Sequence, residues 1–246
     1  MSIFQELIEG LPRQSPGSTA ATLRALGMAR GLPQSPRILD VGCGPGAQTV
    51  DLACATGGWV LAVDIRQHFL DELTERARNA GVQSQVTTLC MSMFDMDFAD
   101  SSYDLIWSEG AIYIAGFAAG LRAWHRFLKP GGWIAVSELT WLVPDPPAEA
   151  AEYWKLNYPD MGSIERNCRL VAEAGYVEST GFTLSTRDWY NYYGPAERRV
   201  EELREKYADA PDTLATLDDV QREYDIFRQY HESYGYVFYV MRKPLA

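Results

Sequence analysis

The sequence predicts an α/β fold: a doubly wound sheet of seven mostly parallel strands, the last antiparallel, with helices on both faces and a helical cap. Three observations predict it. Short apolar runs alternate with helix-period segments from Arg37 to Glu138. The runs, such as W-V-L-A-V-D at Trp59–Asp64, are apolar throughout, which marks strands buried on both faces of a parallel sheet. The last run, Y-V-F-Y-V-M at Tyr236–Met241, comes only after a long polar excursion, and such a return can pair antiparallel with its neighbours.

The elements follow in order. The turn-rich P-R-Q-S-P-G-S (Pro12–Ser18) leads to Ser18 and Thr19, which can cap a helix to about Arg30. Pro33 and Pro36 break the chain before strand one, Arg37–Val41. A helix from Gln48 to Ala55 precedes strand two, Trp59–Asp64. Phe69, Leu70, Leu73 and Ala77 share one face of a helix over 67–80, ended by Gly81. Gln85–Met91 is strand three and Tyr103–Ser108 strand four. A helix spans Phe117–Leu128 and closes at Lys129-Pro130-Gly131-Gly132, before strand five at Trp133–Glu138. Helices follow at about 148–157 and 163–174, strand six at Gly181–Thr186, a helix-biased stretch at 196–232, then strand seven.

Composition narrows the function. The 246 residues are 47% hydrophobic, enough for one large core and short for two domains, so 1–246 reads as one unit. The net charge of −11, with no Lys/Arg cluster beyond Arg198-Arg199, disfavours a nucleic-acid partner and favours a small molecule. No apolar run reaches membrane length, and the N-terminus lacks a signal-peptide pattern, so a cytoplasmic protein without a membrane partner is expected. Four scattered cysteines read as reduced thiols. Cys43 lies in a glycine loop, and Cys54, Cys90 and Cys168 lie in core-like contexts. Three histidines without ligand spacing give no metal site.

The loop L-D-V-G-C-G-P-G (Leu39–Gly46) follows strand one, where ligands of such sheets bind. Ala47-Gln48 after it lacks the Lys-Ser/Thr of a P-loop. Gly42, Gly44 and Ala47 formally meet the dinucleotide fingerprint, but the Asp40 carboxylate would repel a pyrophosphate. An acidic group beside a glycine turn suits a ligand with a cationic amino group. The loop resembles the first motif of the class I S-adenosylmethionine-dependent methyltransferases. D-F-A-D-S-S-Y-D-L-I-W (Asp97–Trp107) and L-K-P-G-G-W-I-A-V-S-E (Leu128–Glu138) resemble that family's fourth strand and its fifth with the turn before it. The chain also resembles a bacterial branch of small-molecule methyltransferases through R-Q-S-P-G-S, W-S-E-G-A-I-Y (Trp107–Tyr113) and Y-G-Y-V-F-Y-V-M-R-K (Tyr234–Lys243).

The resemblance implies S-adenosylmethionine as cofactor and methyl transfer to O or N of a small-molecule acceptor. A cofactor-binding protein without catalysis and a methyltransferase of macromolecules are the alternatives. It implies cofactor contacts from Asp40, Gly42, Gly44, Gly46, Gln48, Thr49 and Ser108, and ribose hydroxyls on Asp64, beside Ile65. Ser92, Met93 and Phe94 stand around the adenine, with Ser92 where many members carry an acidic residue. Residues 1–31 form a cofactor-covering segment in which Gly17 and Ser18 approach the methionine end and Arg13 meets its carboxylate; a plain helix entry is the other reading. Two roles fit Glu109, a catalytic base or a structural contact, and two fit Tyr113, catalytic pocket or core. Glu138 can face the acceptor or bond backbone. W-Y-N-Y-Y (Trp189–Tyr193) suits an acceptor lid or ordinary packing. The excursion 142–232 caps the site or forms a homodimer face.

Overall fold

The computed structural model describes residues 3–245. One sheet runs in the order β3-β2-β1-β4-β5-β8-β7. Its strands are β1 (Arg37–Val41), β2 (Trp59–Asp64), β3 (Val86–Cys90), β4 (Tyr103–Glu109), β5 (Leu128–Trp141), β7 (Val177–Thr183) and β8 (Tyr234–Arg242). β1 to β5 are mutually parallel, and β8 lies antiparallel between β5 and β7. An eighth strand, the two-residue β6 (Gly162–Ser163), pairs with the end of β5.

Period-two alternation splits the core between the faces. Ile38, Val60, Leu105 and Trp107 pack with Ala25, Leu52 and Leu73 on one side. Leu39, Val63, Ile106 and Val136 pack with Leu121, Trp124 and Val171 on the other. The first side is covered by α2 (Thr19–Met28), α3 (Ala47–Thr56) and α4 (Gln67–Asn79). The second is covered by α5 (Ile112–Ala115), α6 (Phe117–His125) and α8 (Ile164–Glu173). A third cluster joins α1 (Ile3–Ile8), α7 (Ala148–Asn157), α9 (Thr186–Lys206) and α10 (Pro211–Tyr230) above the carboxyl ends of the strands. Ser185 caps α9 through a reciprocal box with Asp188.

Several boundaries differ from the sequence reading. The helix expected to reach Leu128 ends at His125, because Leu128 already pairs with Tyr103. β5 then runs through the Lys-Pro-Gly-Gly turn. Gly132 is tightly held there, since a Cβ would stand 3.0 Å from Lys129 O and 3.1 Å from Asp104 O. Strand six starts at Val177 rather than Gly181, and a register shift between Val177 and Thr180 blurs its alternation. α1, α5 and β6 are too short to leave a periodic signal. Cys43 is buried, but Cys54, Cys90 and Cys168 are exposed, which corrects the core-like reading of the last three. Among the described residues, no helix is long and apolar enough to cross a membrane, and no group of three or more His, Cys, Asp or Glu stands together as a metal site.

Candidate active site

A cavity of ≈ 520 Å³ opens at the carboxyl ends of β1, β2 and β4 and continues under the cap. Its outer half is built from loops. Gly42 and Gly44 both hold positive φ, +70° and +53°, so the loop after β1 turns in a conformation that suits glycine. A Cβ on Gly42 would stand 2.5 Å from Ala111 Cβ, so the bare backbone is what lets the two loops meet.

Asp64 ends β2 at the cavity wall. Gly44 N–H donates to its Oδ2 and Arg66 N–H to its Oδ1, both at 2.9 Å. A carboxylate offers about four lone-pair sites, so two backbone donors fix its plane and leave capacity for a vicinal diol. Ile65, Ser92, Met93 and Phe94 continue the same wall.

The segment Gln14–Pro16 closes over this wall. Gln14 packs on the face of Gly44, where a Cβ would lie 3.6 Å from its Cγ. Ser15 sits against Gly110, where a Cβ would fall 2.4 Å from Ser15 Cβ. Gly17 and Ser18 do not line the cavity. Gly17 N–H donates to Asp188 O at 3.0 Å, Asn191 Nδ2 donates to Gly17 O at 2.9 Å, and Ser18 Oγ donates to Asp188 Oδ1 at 2.5 Å. These contacts clip the segment to α9 and set both residues, expected at the cofactor, back from the cavity lining.

Five further expected contacts also lie off the cavity. Asp40 is wholly buried; its Oδ2 accepts from Thr49 Oγ1 at 2.6 Å and Gln48 Nε2 at 3.2 Å, and Gln48 Nε2 also donates to Cys43 O. The three side chains brace the glycine loop from beneath. Burial pushes the Asp40 carboxyl up to about 7 against the Thr49 hydrogen bond, with the Glu109 charge adding to the rise. Gly46 is required by packing, since a Cβ would meet Leu73 Cδ1 at 2.2 Å. Ser108 Oγ donates to Val41 O and ties β4 to β1.

Glu109 reaches the cavity wall, but its carboxylate is engaged. Oε2 accepts from Arg13 Nη1 at 3.0 Å; Oε1 accepts from Thr22 Oγ1 at 2.7 Å and Trp107 Nε1 at 2.9 Å. Such a group anchors the N-terminal segment and is poorly placed to take a substrate proton. Arg13 is spent on this pair, with Asp51 at 3.8 Å, rather than left for a ligand carboxylate.

The inner half is aromatic. Tyr113 lines it, 45% exposed, edge-on to Tyr158 with centroids 5.9 Å apart. Tyr158 Oη donates to Glu138, whose carboxyl burial raises to about 8. W-Y-N-Y-Y divides between roles. Trp189 stacks on Phe227 at 4.2 Å and Tyr193 is buried, yet both also border the cavity with Tyr192. Sequence reasoning missed Trp154, Asn157 and Tyr158 around α7, and Val220, Glu223 and Tyr224 on α10. The available signal was a carboxylate inside the i, i+3, i+4 stripe Val220-Glu223-Tyr224.

Residues 38–132 match the model of a family described as "Methyltransferase domain". The chain is 27% identical over 237 residues to 27-O-demethylrifamycin SV methyltransferase of Amycolatopsis mediterranei, covering 92% of this chain and 84% of that protein. It superposes with TM-score 0.80 and 23% identity on a SAM-dependent methyltransferase from Geobacter sulfurreducens in complex with S-adenosyl-L-homocysteine, over 97% of this chain and 96% of that one. A SAM-dependent methyltransferase from Thiobacillus denitrificans, also in complex with S-adenosyl-L-homocysteine, gives TM-score 0.80 at 22% identity, with 98% of each chain covered.

Proposed function

We propose that this chain, matched over residues 38–132 to the methyltransferase domain, acts as a class I S-adenosylmethionine-dependent methyltransferase and methylates O or N of a small-molecule acceptor held in the inner half of the cavity. The observation that carries this is the continuity of one cavity, from the glycine loop and Asp64 to the aromatic chamber under the cap. The residues fit the cofactor: bare backbone at Gly42 and Gly44, and a carboxylate fixed at the end of β2.

S-adenosylmethionine, when bound, supplies an electrophilic methyl on a sulfonium. In this reading Asp64 accepts from the two ribose hydroxyls, and Ser92, Met93 and Phe94 border the adenine. Tyr113 and its neighbours give ring faces that favour the sulfonium charge and keep water out. The chamber orients the acceptor for in-line displacement. Residues 1–31 serve as the cofactor cover and 142–232 as the cap, within one domain; residues 1, 2 and 246 lie outside the described residues. The net charge of −11 supports a small molecule rather than a nucleic acid, and the four free cysteines fit a reducing, cytoplasmic setting.

Turnover tests the proposal. Purified protein, S-adenosylmethionine and a panel of hydroxylated and amino acceptors should release S-adenosylhomocysteine with at least one acceptor. Cofactor binding without release on any acceptor would favour a non-catalytic protein. Release only on nucleic acid or protein would move the acceptor to a macromolecule.

A further inference from the structure

The inner chamber has an electrostatic character that the cofactor does not explain. Glu223 projects from α10 into the cavity wall. Tyr193 Oη donates to its Oε1 at 2.7 Å. Burial raises its carboxyl, the Tyr193 hydrogen bond opposes this, and no cationic side chain among the described residues offsets it. Its charge is felt by Tyr113, Tyr192, Tyr224 and Tyr236, which border the same space.

A half-buried carboxylate without a cation is held at a cost, and the faces of aromatic rings favour cations over anions. Two independent features therefore ask for positive charge from a ligand. A third describes the rest of that ligand. Phe4 and Ile114, outside the wall read as the cofactor's, rim the cavity and stay exposed, by 49% and 52%, so whatever passes the mouth meets apolar surface.

We propose that the acceptor is an organic amine on an apolar or aromatic body, and that Glu223 selects it by receiving its ammonium in a tyrosine-walled chamber. This rests on the reading of the cavity as the acceptor site of a methyltransferase. It makes Glu223 a specificity-determining residue, whichever atom of the acceptor receives the methyl.

The test uses the full chain, alone and saturated with S-adenosylhomocysteine, titrated calorimetrically with phenethylamine, phenethyl alcohol and 3-phenylpropionate. Phenethylamine should bind at least tenfold tighter than the other two. Glu223→Gln should abolish that preference while S-adenosylhomocysteine affinity stays within twofold, and Glu223→Asp should retain it. Equal affinities, tighter binding of the acid, no amine binding, or a folded Glu223→Gln with its preference intact would each overturn the proposal. Should Glu223→Gln fail to fold, the wild-type ranking decides alone. Failure of S-adenosylhomocysteine to bind would instead count against the methyltransferase reading, and the amine arm without it still reports on Glu223.

Discussion

Arg13 and Glu109 meet at 3.0 Å across 96 residues of sequence, both nearly out of water. The pair joins the N-terminal segment to the end of β4, and Thr22 and Trp107 complete the carboxylate's donors. Removing one partner leaves a buried charge uncompensated, which costs about 3 kcal/mol or more. Glu109→Ala and Arg13→Ala should each lose stability of that order, and the double variant should cost far less than their sum. Denaturant unfolding of the three variants checks this; additive small losses would mean the pair is not coupled.

The same segment depends on a missing side chain. Gly110 holds φ +60°, and a Cβ there would stand 2.4 Å from Ser15 Cβ. Gly110→Ala should lift Gln14–Pro16 from the loop, speed tryptic cleavage after Arg13 and weaken S-adenosylhomocysteine binding about tenfold, on the order of 1.4 kcal/mol. Unchanged proteolysis and affinity would show that the segment tolerates the methyl.

Asp64 is held by two backbone amides at 2.9 Å and keeps lone pairs for a diol. Asp64→Ala should weaken S-adenosylhomocysteine binding at least tenfold, about 1.4 kcal/mol or more. Calorimetry on the folded variant measures it. An unaltered affinity would remove Asp64 from the ribose contact.

Buried Asp40 gives a pH signature. Its carboxyl rises from an ordinary 3.8 to about 7 on burial. Between those values the folded state keeps a proton that the unfolded state has released. The contribution to stability is therefore full below about pH 4 and is lost as pH climbs toward 7. Asp40→Asn should gain stability relative to wild type across that window and stay level above it. Glu138, raised to about 8, should extend the same trend, so that Glu138→Gln gains up to about pH 8. Melting temperatures across pH 4–9 read both; parallel curves for wild type and variants would contradict the assignment.

How much of this was legible before the structure depends on the range of each interaction. Gly42, Gly44, Asp64 and Ser92–Phe94 announce themselves because strand, turn and the loop that follows are local in sequence, and all line the cavity. Asp40, Gln48 and Thr49 carry the right residue types, but their polar atoms turn to one another beneath the loop. Glu109 sits where a base belongs, yet two of its three donors lie 96 and 87 residues upstream, beyond any local pattern. The inner chamber was least visible. Tyr158, Tyr192 and Glu223 come from separate parts of the cap, whose helices look merely amphipathic until they are packed together.

The central claim is that the cavity over Gly42, Gly44 and Asp64 holds S-adenosylmethionine. The most direct test is parallel calorimetric titration of the wild-type protein with S-adenosylmethionine, S-adenosylhomocysteine and NADH. The account predicts micromolar binding of the first two and none of the third. Binding of NADH alone would contradict it and place a dinucleotide on this sheet.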